Sequence, residues 1–330
     1  MIAFSRNIHF DSLKFILIFL VVFGHSMEYL GDESKITNAM YSFIYTFHMP
    51  LFVFISGYFT NASKAYSSSL KILEVFIVLQ LFSSFLDNGI TLLSMLIPKW
   101  TLWYLVSLSF WRLLIGVLNK YIISNKFLAI AITILMALLV GFIPIQNGLS
   151  FQRTFYFMPF FILGYICKHT GWYEKARAIG INVALTILSI AFILLYVNGT
   201  NIGKVFYGTT LYDLNNNNIP IQILSKALML LVSFMTSVCV VNCIPKLNNL
   251  SKYGAITLFI YAYHTYVIKA IRYFLNGESH FVVVFIISCF IVFILLMLSK
   301  IKFLSMILNP FSNLVQFGER FKNNSPNHKY

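Results

Sequence analysis

Long apolar runs recur along the whole chain and are separated by short polar or charged segments. Most of these runs approach the ~20 residues that a helix needs to cross the hydrocarbon core of a bilayer. The pattern predicts an all-α integral membrane protein with about ten transmembrane helices. The expected spans are 13–29, 40–60, 70–92, 101–118, 127–143, 154–168, 179–197, 221–242, 254–271 and 281–299.

The composition agrees with that class, because 59% of the residues are hydrophobic and only 10% are charged. Lys and Arg number 24 against 10 Asp and Glu, an excess that in a soluble protein would suggest nucleic acid. In a membrane protein, the first question is whether the basic residues are concentrated on one side of the membrane. With a cytoplasmic N-terminus, 17 basic residues fall inside and six outside, and Lys226 lies within a span. This bias predicts that both termini are cytoplasmic, and no nucleic-acid partner is expected.

The chain is expected to form one transmembrane domain over residues 1–300, followed by a cytoplasmic tail over 301–330 that is partly disordered. The longest hydrophilic interruption, 198–220, is interpreted either as a lid or acceptor-contacting loop or as a simple connector. The four cysteines fall in or beside spans and are expected to pack there, so no metal site is predicted.

The first span carries ionisable residues inside an otherwise apolar run. Lys14 and His25 are eleven residues apart, which is about 16.5 Å of helical rise and a rotation within about 20° of three whole turns. They therefore share one face, and Asp11 and Glu28 fall close to the same stripe. Ionisable groups at membrane depth normally face a protein interior or a cavity. The stripe predicts that this helix lines a functional site.

The second span places His48 just before Pro50, which removes one backbone donor and favours a kink or an opening beside a cavity. In the predicted topology, His48 lies about 12 Å below the outer end of its helix, and His25 also lies near an outer end. The two imidazoles are expected to meet in the outer half of the membrane. Histidine is a natural general base near neutral pH, although each could also be a hydrogen-bonded core residue.

Further candidates lie at the outer ends of later spans. Trp103 and Tyr104 open the fourth span and could belong to the site or to an interfacial aromatic belt. Arg153 enters the sixth span from outside, where it would pair with a carboxylate, a phosphate or a developing oxyanion. A structural ion pair of Arg153 with Glu28 or Asp32 is the alternative.

Five motifs follow one another along the chain: Lys14-x10-His25, Phe47-His48-Met-Pro-Leu-Phe-Val-Phe-Ile-Ser-Gly-Tyr-Phe59, Leu102-Trp-Tyr-Leu105, Arg153 with Pro159-Phe-Phe-Ile-Leu-Gly164, and Ile260-Tyr-Ala-Tyr-His264. The last motif contains a third intramembrane histidine, His264, for which a structural hydrogen bond is expected. The order of these motifs resembles the acyltransferase-3 family, and within it the fucose 4-O-acetylase-like branch.

The resemblance implies a membrane O-acetyltransferase of the bacterial cytoplasmic membrane. Such an enzyme moves an acetyl group from cytoplasmic acetyl-CoA to a hydroxyl of an extracytoplasmic or lipid-linked glycan, such as capsule, O-antigen or exopolysaccharide. The lipid bilayer and the glycan acceptor are the expected partners, together with a second copy of the chain or other polysaccharide-assembly proteins. Many family members carry arginine where this chain has Lys14, which keeps the charge but not the bidentate geometry.

The resemblance also suggests roles for the candidate residues. The expected catalytic residues are His25, as base or acylated intermediate, His48 and Arg153. Lys14, Lys64 and Lys71 are expected to bind the CoA phosphates, and Trp103, Tyr104 and Glu28 are expected to bind the sugar.

Two rival functions use the same physical features. A transporter or flippase of a lipid-linked glycan or small solute would also have a polar stripe, a kinked helix and intramembrane histidines. A proton-coupled carrier would more often show intramembrane carboxylates, for which Glu74 and Asp87 are the candidates. A polysaccharide polymerase would be expected to have a large arginine-rich external loop, whereas the loop after residue 198 contains only Lys204.

Overall fold

The structure, a computed structural model, describes residues 7–87, 91, 96–145, 148–215, 218–275 and 278–308. Within these ranges the chain is helical, and the one β-bridge, between Gly31 and Ser279, belongs to no strand. Helices α1 to α13 are Ile8–Leu30, Lys35–Phe59, Ala65–Asp87, Trp103–Ser124, Lys126–Leu139, Phe151–Thr170, Trp172–Ala176, Ile181–Asn198, Ile219–Cys243, Asn248–Ser251, Thr257–Phe274, Phe281–Leu298 and Lys302–Ile307.

Each of the ten predicted spans falls on one of these helices. Seven helices in the described ranges are long and apolar enough to cross a membrane: α1, α2, α3, α4, α8, α9 and α12. Helix α5 is shorter, with 14 residues, and α6 and α11 carry more polar side chains. The all-α membrane class is confirmed, while the number of spans and the cytoplasmic termini stay predictions. The expected disordered part of the tail lies mostly outside the described residues.

Helix α1 begins where the side chain of Asn7 accepts hydrogen bonds from the backbone N–H groups of His9 and Phe10, a typical N-cap. It then packs against α2, α11 and α12. Fourteen of its 23 residues are buried, so little of it faces lipid. A helix buried on most of its circumference can bring polar groups into a protein interior, which is where the predicted stripe needs to lie.

Helices α2 and α6 cross at two glycines. A Cβ at Gly57 would lie 2.0 Å from the Phe161 carbonyl oxygen, and one at Gly164 would lie 2.0 Å from the Phe54 carbonyl oxygen. No side chain fits at either position, so the two backbones can approach only because both residues are glycine. Small residues at helix crossings are common in membranes for this reason. This crossing fixes the position of α6, which carries Arg153, relative to α2, which carries His48.

A polar cluster joins the α1–α2 loop to the α11–α12 loop. The Asp32 carboxylate accepts hydrogen bonds from Thr37 Oγ1 at 2.6 Å, Ser34 Oγ at 2.8 Å and His280 Nδ1 at 3.0 Å. These bonds, that from Thr37 first, lower the pKa of Asp32 to about 2. Because the folded value lies below the usual ~3.9, the cluster contributes stability at neutral pH and loses it only as the pH falls towards 2.

The loop after α8 contains a short 3-10 helix, Gly203–Tyr207, which we call the loop helix. A Cβ at Gly203 would lie 2.5 Å from the Tyr41 ring, so glycine allows the loop helix to lie directly on α2. The segment ends at Gly208, whose φ of 73° is in the left-handed region that favours glycine. The backbone N–H of Ile202 also donates to Ser42 Oγ at 3.1 Å. The loop is thus held against the helices.

Candidate active site

A cavity of about 460 Å³, including its open mouth, lies between α1, α2, α4, α6 and the loop helix. We call it the histidine cavity. Five of the nine site residues predicted from the sequence line it, although they come from four different helices. Its lining is His25, Glu28, Tyr45, His48, Met49, Trp100, Trp103, Arg153, Phe157, Phe206 and Tyr207.

His25 and Glu28 form a hydrogen-bonded pair at the C-terminal end of α1. His25 Nδ1 lies 3.1 Å from Glu28 Oε2, and the Tyr45 hydroxyl is 3.3 Å from the same nitrogen. A carboxylate only accepts, so Nδ1 carries the proton and Nε2 of the neutral ring keeps its lone pair. A histidine oriented by a carboxylate in this way is the arrangement found in acyl-transfer triads.

His48 is held in the same tautomer by the backbone. Its Nδ1 lies 2.8 Å from the Ile44 carbonyl oxygen on the preceding turn of α2, and a carbonyl can only accept. Nε2 of the neutral ring is therefore the nitrogen with a lone pair. The ring packs edge-on against Tyr45, with centroids 4.5 Å apart. A second imidazole with an unprotonated Nε2 thus lines the cavity next to Pro50.

His264 makes the structural hydrogen bonds predicted for it, from Nδ1 to the carbonyl oxygens of Tyr261 at 2.7 Å and Ile260 at 3.2 Å. It is fully buried, and its ring centroid is 5.5 Å from that of His25. Its Nε2 has no hydrogen-bond partner among the described residues. Three histidines with the same tautomer therefore lie in or directly behind the cavity, an arrangement that the sequence did not predict.

Arg153 supplies the positive charge of the cavity. Its guanidinium lies over the rings of Trp103, at 5.1 Å, and Tyr207, at 5.6 Å. In the described part of the chain it forms no ion pair, and its buried Nε has no hydrogen-bond partner. The alternative of a salt bridge to Glu28 or Asp32 is not realised, because these carboxylates bind His25 and His280. The N–H donors of Arg153 are thus available to an oxyanion.

Aromatic rings form the walls of the cavity. Trp103 stacks on Phe157 with centroids 5.3 Å apart, and Trp100 packs edge-on against His25 at 4.7 Å. Trp100 has a φ of 28°, a conformation that a bulky residue rarely adopts. Unusual backbone conformations of this kind are concentrated at functional sites. The strained turn before α4 is what brings the Trp100 ring over His25.

Tyr207 joins the loop helix to the His25–Glu28 pair. Its hydroxyl donates to Glu28 Oε1 at 3.3 Å and makes a very short contact with the Tyr41 hydroxyl. Burial raises the pKa of Tyr207 to about 12, so the hydroxyl stays protonated and remains a donor. The loop over residues 198–220 therefore does contribute to the site. Its role as a lid stays a prediction.

Four of the predicted site residues do not line the cavity. Tyr104 points to α2 instead, where its hydroxyl is 2.5 Å from Ser56 Oγ. Lys14 pairs with Asp11 at 3.3 Å and lies 4.1 Å from the centre of the Phe59 ring. Lys64 and Lys71 are exposed near the start of α3.

The three lysines lie at the end of the bundle opposite to His25. Lys14 is near the start of α1, eleven residues and about 16.5 Å from His25, and its partner Phe59 ends α2 just before Lys64. The face of α1 between Lys14 and His25 is filled by Ile18 and Val21, which are packed in the main core. A pantetheine arm on that face would need these helices to separate.

Several residues of the cavity were not predicted as site residues. Trp100 lies two residues before the Leu102–Leu105 motif, and Tyr207 lies in the hydrophilic loop for which acceptor contact was one interpretation. Tyr45 sits one helical turn before His48, so its position on the same face could have identified it. Phe206 carries no comparable signal.

The described residues contain no group of three or more His, Cys, Asp and Glu side chains arranged to hold a metal ion. The four cysteines are free thiols, and two of them, Cys167 and Cys239, are buried.

Comparison with known proteins identifies one family, an acyltransferase domain that matches residues 7–299. Nodulation protein NolL of Mesorhizobium japonicum is 28% identical over 196 residues, which cover 51% of this chain and 50% of that protein. The Sinorhizobium fredii protein of the same name is 42% identical over 64 residues, 18% of each chain. The chain thus spans at most about half the length of these relatives, and no solved structure matches it. Because the family match covers most of its length, this multi-pass membrane chain belongs to the acyltransferase-3 family.

Proposed function

We propose that this protein is an O-acetyltransferase of the bacterial cytoplasmic membrane, which transfers an acetyl group from cytoplasmic acetyl-CoA to a hydroxyl of an extracytoplasmic or lipid-linked carbohydrate. The observation that carries the proposal is the histidine cavity. There a carboxylate-oriented histidine and a second imidazole face one space with aromatic walls, together with an arginine that pairs with no carboxylate in the ranges that the structure describes. These are a base, an electrophilic group and a surface on which a sugar ring can stack.

In the proposed reaction, Nε2 of His25 removes the proton of the sugar hydroxyl as the oxygen attacks the thioester carbonyl. The Glu28 carboxylate keeps Nδ1 protonated and stabilises the imidazolium that forms. Arg153 donates hydrogen bonds to the oxyanion of the tetrahedral intermediate. The C–S bond then breaks, and His25 returns the proton to the sulfur, which yields the acetyl ester and CoA thiol. His48 orients the hydroxyl through its own Nε2.

Carbohydrate is the proposed acceptor because Trp100, Trp103 and Tyr207 surround the polar groups. Flat aromatic faces stack on the apolar faces of sugars, while charged side chains bind the hydroxyls. The positive charge at the other end of α1, at Lys14, Lys64 and Lys71, suits the phosphates of acetyl-CoA. The donor and acceptor would approach His25 from opposite ends of the bundle.

The test is the acetyl-ester content of the surface polysaccharide, measured by proton NMR in a deletion strain. The strain is complemented with wild type, with His25→Gln, or with His169→Gln as a matched control. His169 is exposed at the end of α6 that is distant from the cavity. We expect acetyl esters with wild type and His169→Gln but not with His25→Gln, at equal protein levels.

Two outcomes would contradict the proposal. Normal acetylation by His25→Gln would exclude the proposed base. Acetylation unchanged by the deletion, together with glycan missing from the surface or retained in the cell, would favour a flippase of a lipid-linked glycan.

A further inference from the structure

A buried lysine lies in a second polar cavity, away from the catalytic groups. Lys226 is two turns into α9 and only 5% exposed. Its Nζ donates to the Thr210 carbonyl oxygen at 3.1 Å and lies 5.0 Å from the centre of the Tyr212 ring. Among the described residues, no carboxylate forms an ion pair with it. Since an ammonium has three donors, two remain available.

The space beside Lys226, which we call the lysine cavity, measures about 520 Å³ with its open mouth. Its lining is Tyr156, Val205, Thr210, Leu211, Tyr212, Gln222, Ser225, Lys226 and Met229.

The lysine cavity contains a second unused polar group. Tyr156 is only 1% exposed, and its hydroxyl has no hydrogen-bond partner in the part of the chain that the structure describes. Buried hydroxyls nearly always have a partner, so a missing one indicates a ligand or solvent. The nearby Asp213 is occupied elsewhere: its backbone binds Gln222, and its carboxylate accepts from the Asn215 N–H at 3.1 Å.

The lysine cavity directly adjoins the histidine cavity. Tyr156 lines the first and Phe157 the second, with ring centroids 5.0 Å apart. The loop helix contributes in the same way, because Val205 faces the lysine cavity while Phe206 and Tyr207 face the histidine cavity. An acceptor long enough to extend past these shared walls would place neighbouring units in the two spaces.

We propose that the lysine cavity binds an anionic group of the acceptor, the carboxylate of a uronic acid or a phosphate, and so selects charged glycans. The proposal rests on the function proposed above. A buried ammonium without a counterion is costly, and an anion that brings its own charge removes that cost. Lys226 would supply two donors and Tyr156 a third, while the neighbouring sugar presents its hydroxyl to His25.

The experiment uses purified full-length protein in maltoside micelles, which contain no phosphate. The acceptors are a neutral oligosaccharide and two otherwise identical ones, which carry a uronic acid or a phosphomonoester. Two quantities are measured: the ratio of kcat/KM for charged over neutral acceptor, and the increase in Tm caused by each oligosaccharide without acetyl-CoA. The variants are Lys226→Met, Lys226→Arg and, as a matched control, Lys204→Met. Lys204 is exposed on the loop helix and lines neither cavity.

We expect wild type and Lys204→Met to favour a charged acceptor by about tenfold or more, the effect of one or two hydrogen bonds to a charged group. Lys226→Met should abolish the preference for the charged acceptor, so that the ratio of kcat/KM falls to about one, and should also abolish the Tm increase. Lys226→Arg, which keeps the charge, should retain much of both effects. The Tm of the unliganded variants shows whether they fold.

The remaining outcomes distinguish a failure of the proposed anion site from a failure of the proposed acetyltransferase function. Acetylation without any effect of charge or of Lys226 would overturn the anion site and leave the transferase. A Tm increase that requires Lys226, without acetylation of any acceptor, would leave the site and overturn the transferase. An increase caused by phosphatidylglycerol but by none of the oligosaccharides would assign the site to a lipid headgroup and overturn its role in acceptor binding.

Discussion

The histidine cavity and the lysine cavity each contain a cation that forms no ion pair with a carboxylate among the described residues, but their other groups differ. Arg153 lies near two imidazoles whose Nε2 lone pairs can accept protons. Lys226 lies near a tyrosine hydroxyl, a glutamine and backbone carbonyls, none of which is a useful base at neutral pH. The first set of groups includes bases that could take a proton from a hydroxyl, whereas the second offers hydrogen-bond donors to a ligand. This difference is the basis for the proposed division between chemistry in one cavity and recognition in its neighbour.

Both cavities depend on the same two elements. Helix α6 carries Arg153 and Tyr156, and the loop helix contributes to both linings. The glycine crossing of α2 and α6, at Gly57 and Gly164, therefore helps to position both cavities. Variants at that crossing would damage both functions, so only side chains within the cavities can separate them.

The largest effect on catalysis is expected for His25→Gln. General acid–base catalysis contributes ~10²–10⁴-fold, so kcat for the neutral acceptor should fall by that amount. The lysine cavity is not altered, so the Tm increase caused by the charged oligosaccharide should persist. Steady-state kinetics and thermal unfolding of the same preparation measure the two effects. If His25→Gln removed the Tm increase as well, the two cavities would not be separable.

The second-largest effect on catalysis is expected for Arg153, for which two variants should give graded losses of rate. Removal of one oxyanion donor costs ~10²–10³-fold in kcat, so Arg153→Met should lower the rate by this factor. Arg153→Lys keeps the charge but loses the planar group that lies over Trp103 and Tyr207, and should give an intermediate rate. The measurement is kcat against KM for the neutral acceptor. A change in KM alone would make Arg153 a glycan-binding residue and not an oxyanion donor.

Glu28 should have a smaller effect, because it acts through His25. Loss of a hydrogen bond to a charged group corresponds to about 10–100-fold, so Glu28→Gln should lower kcat by that amount. Glu28→Asp keeps the carboxylate and should recover part of the rate. The comparison of the two variants at equal Tm is the measurement. Full activity of Glu28→Gln would mean that the charge of Glu28 does not matter, which would contradict the role proposed for it.

The sequence predicted the fold well because its signals are local. Each predicted span is a run of apolar residues, and each such run lies on a helix. The boundaries differ by a few residues where polar caps extend a helix beyond its apolar part. Helix α2, for example, begins at Lys35 because Ser34 caps it, whereas the apolar run begins near residue 40. A lipid-facing helix is decided mainly by composition, so little long-range information is needed.

The candidate site was only partly predictable, because some of its residues have no local signal in the sequence. His25, His48, Glu28, Trp103 and Arg153 were found because polar or aromatic residues in apolar runs are conspicuous. The roles assigned to these residues stay predictions. Tyr104 was grouped with Trp103 by sequence, but adjacent residues on a helix point about 100° apart, and Tyr104 faces Ser56 on α2. The position of Tyr207 depends on how the loop folds back on α2, which no local pattern indicates.

The smallest effect is expected for Tyr156→Phe, which removes one neutral hydroxyl from the lysine cavity. A typical hydrogen bond corresponds to about 2–10-fold in affinity, so the ratio of kcat/KM for charged over neutral acceptor should fall by that amount. Tyr165→Phe is the matched control, because it makes the same change nine residues along α6, about 13.5 Å from Tyr156. Removal of an unpartnered buried hydroxyl also relieves its desolvation cost, so the Tm of unliganded Tyr156→Phe should not fall. A lower Tm with an unchanged acceptor ratio would mean that the hydroxyl stabilises the fold and does not contact the acceptor, and recognition in the lysine cavity would then depend on Lys226 alone.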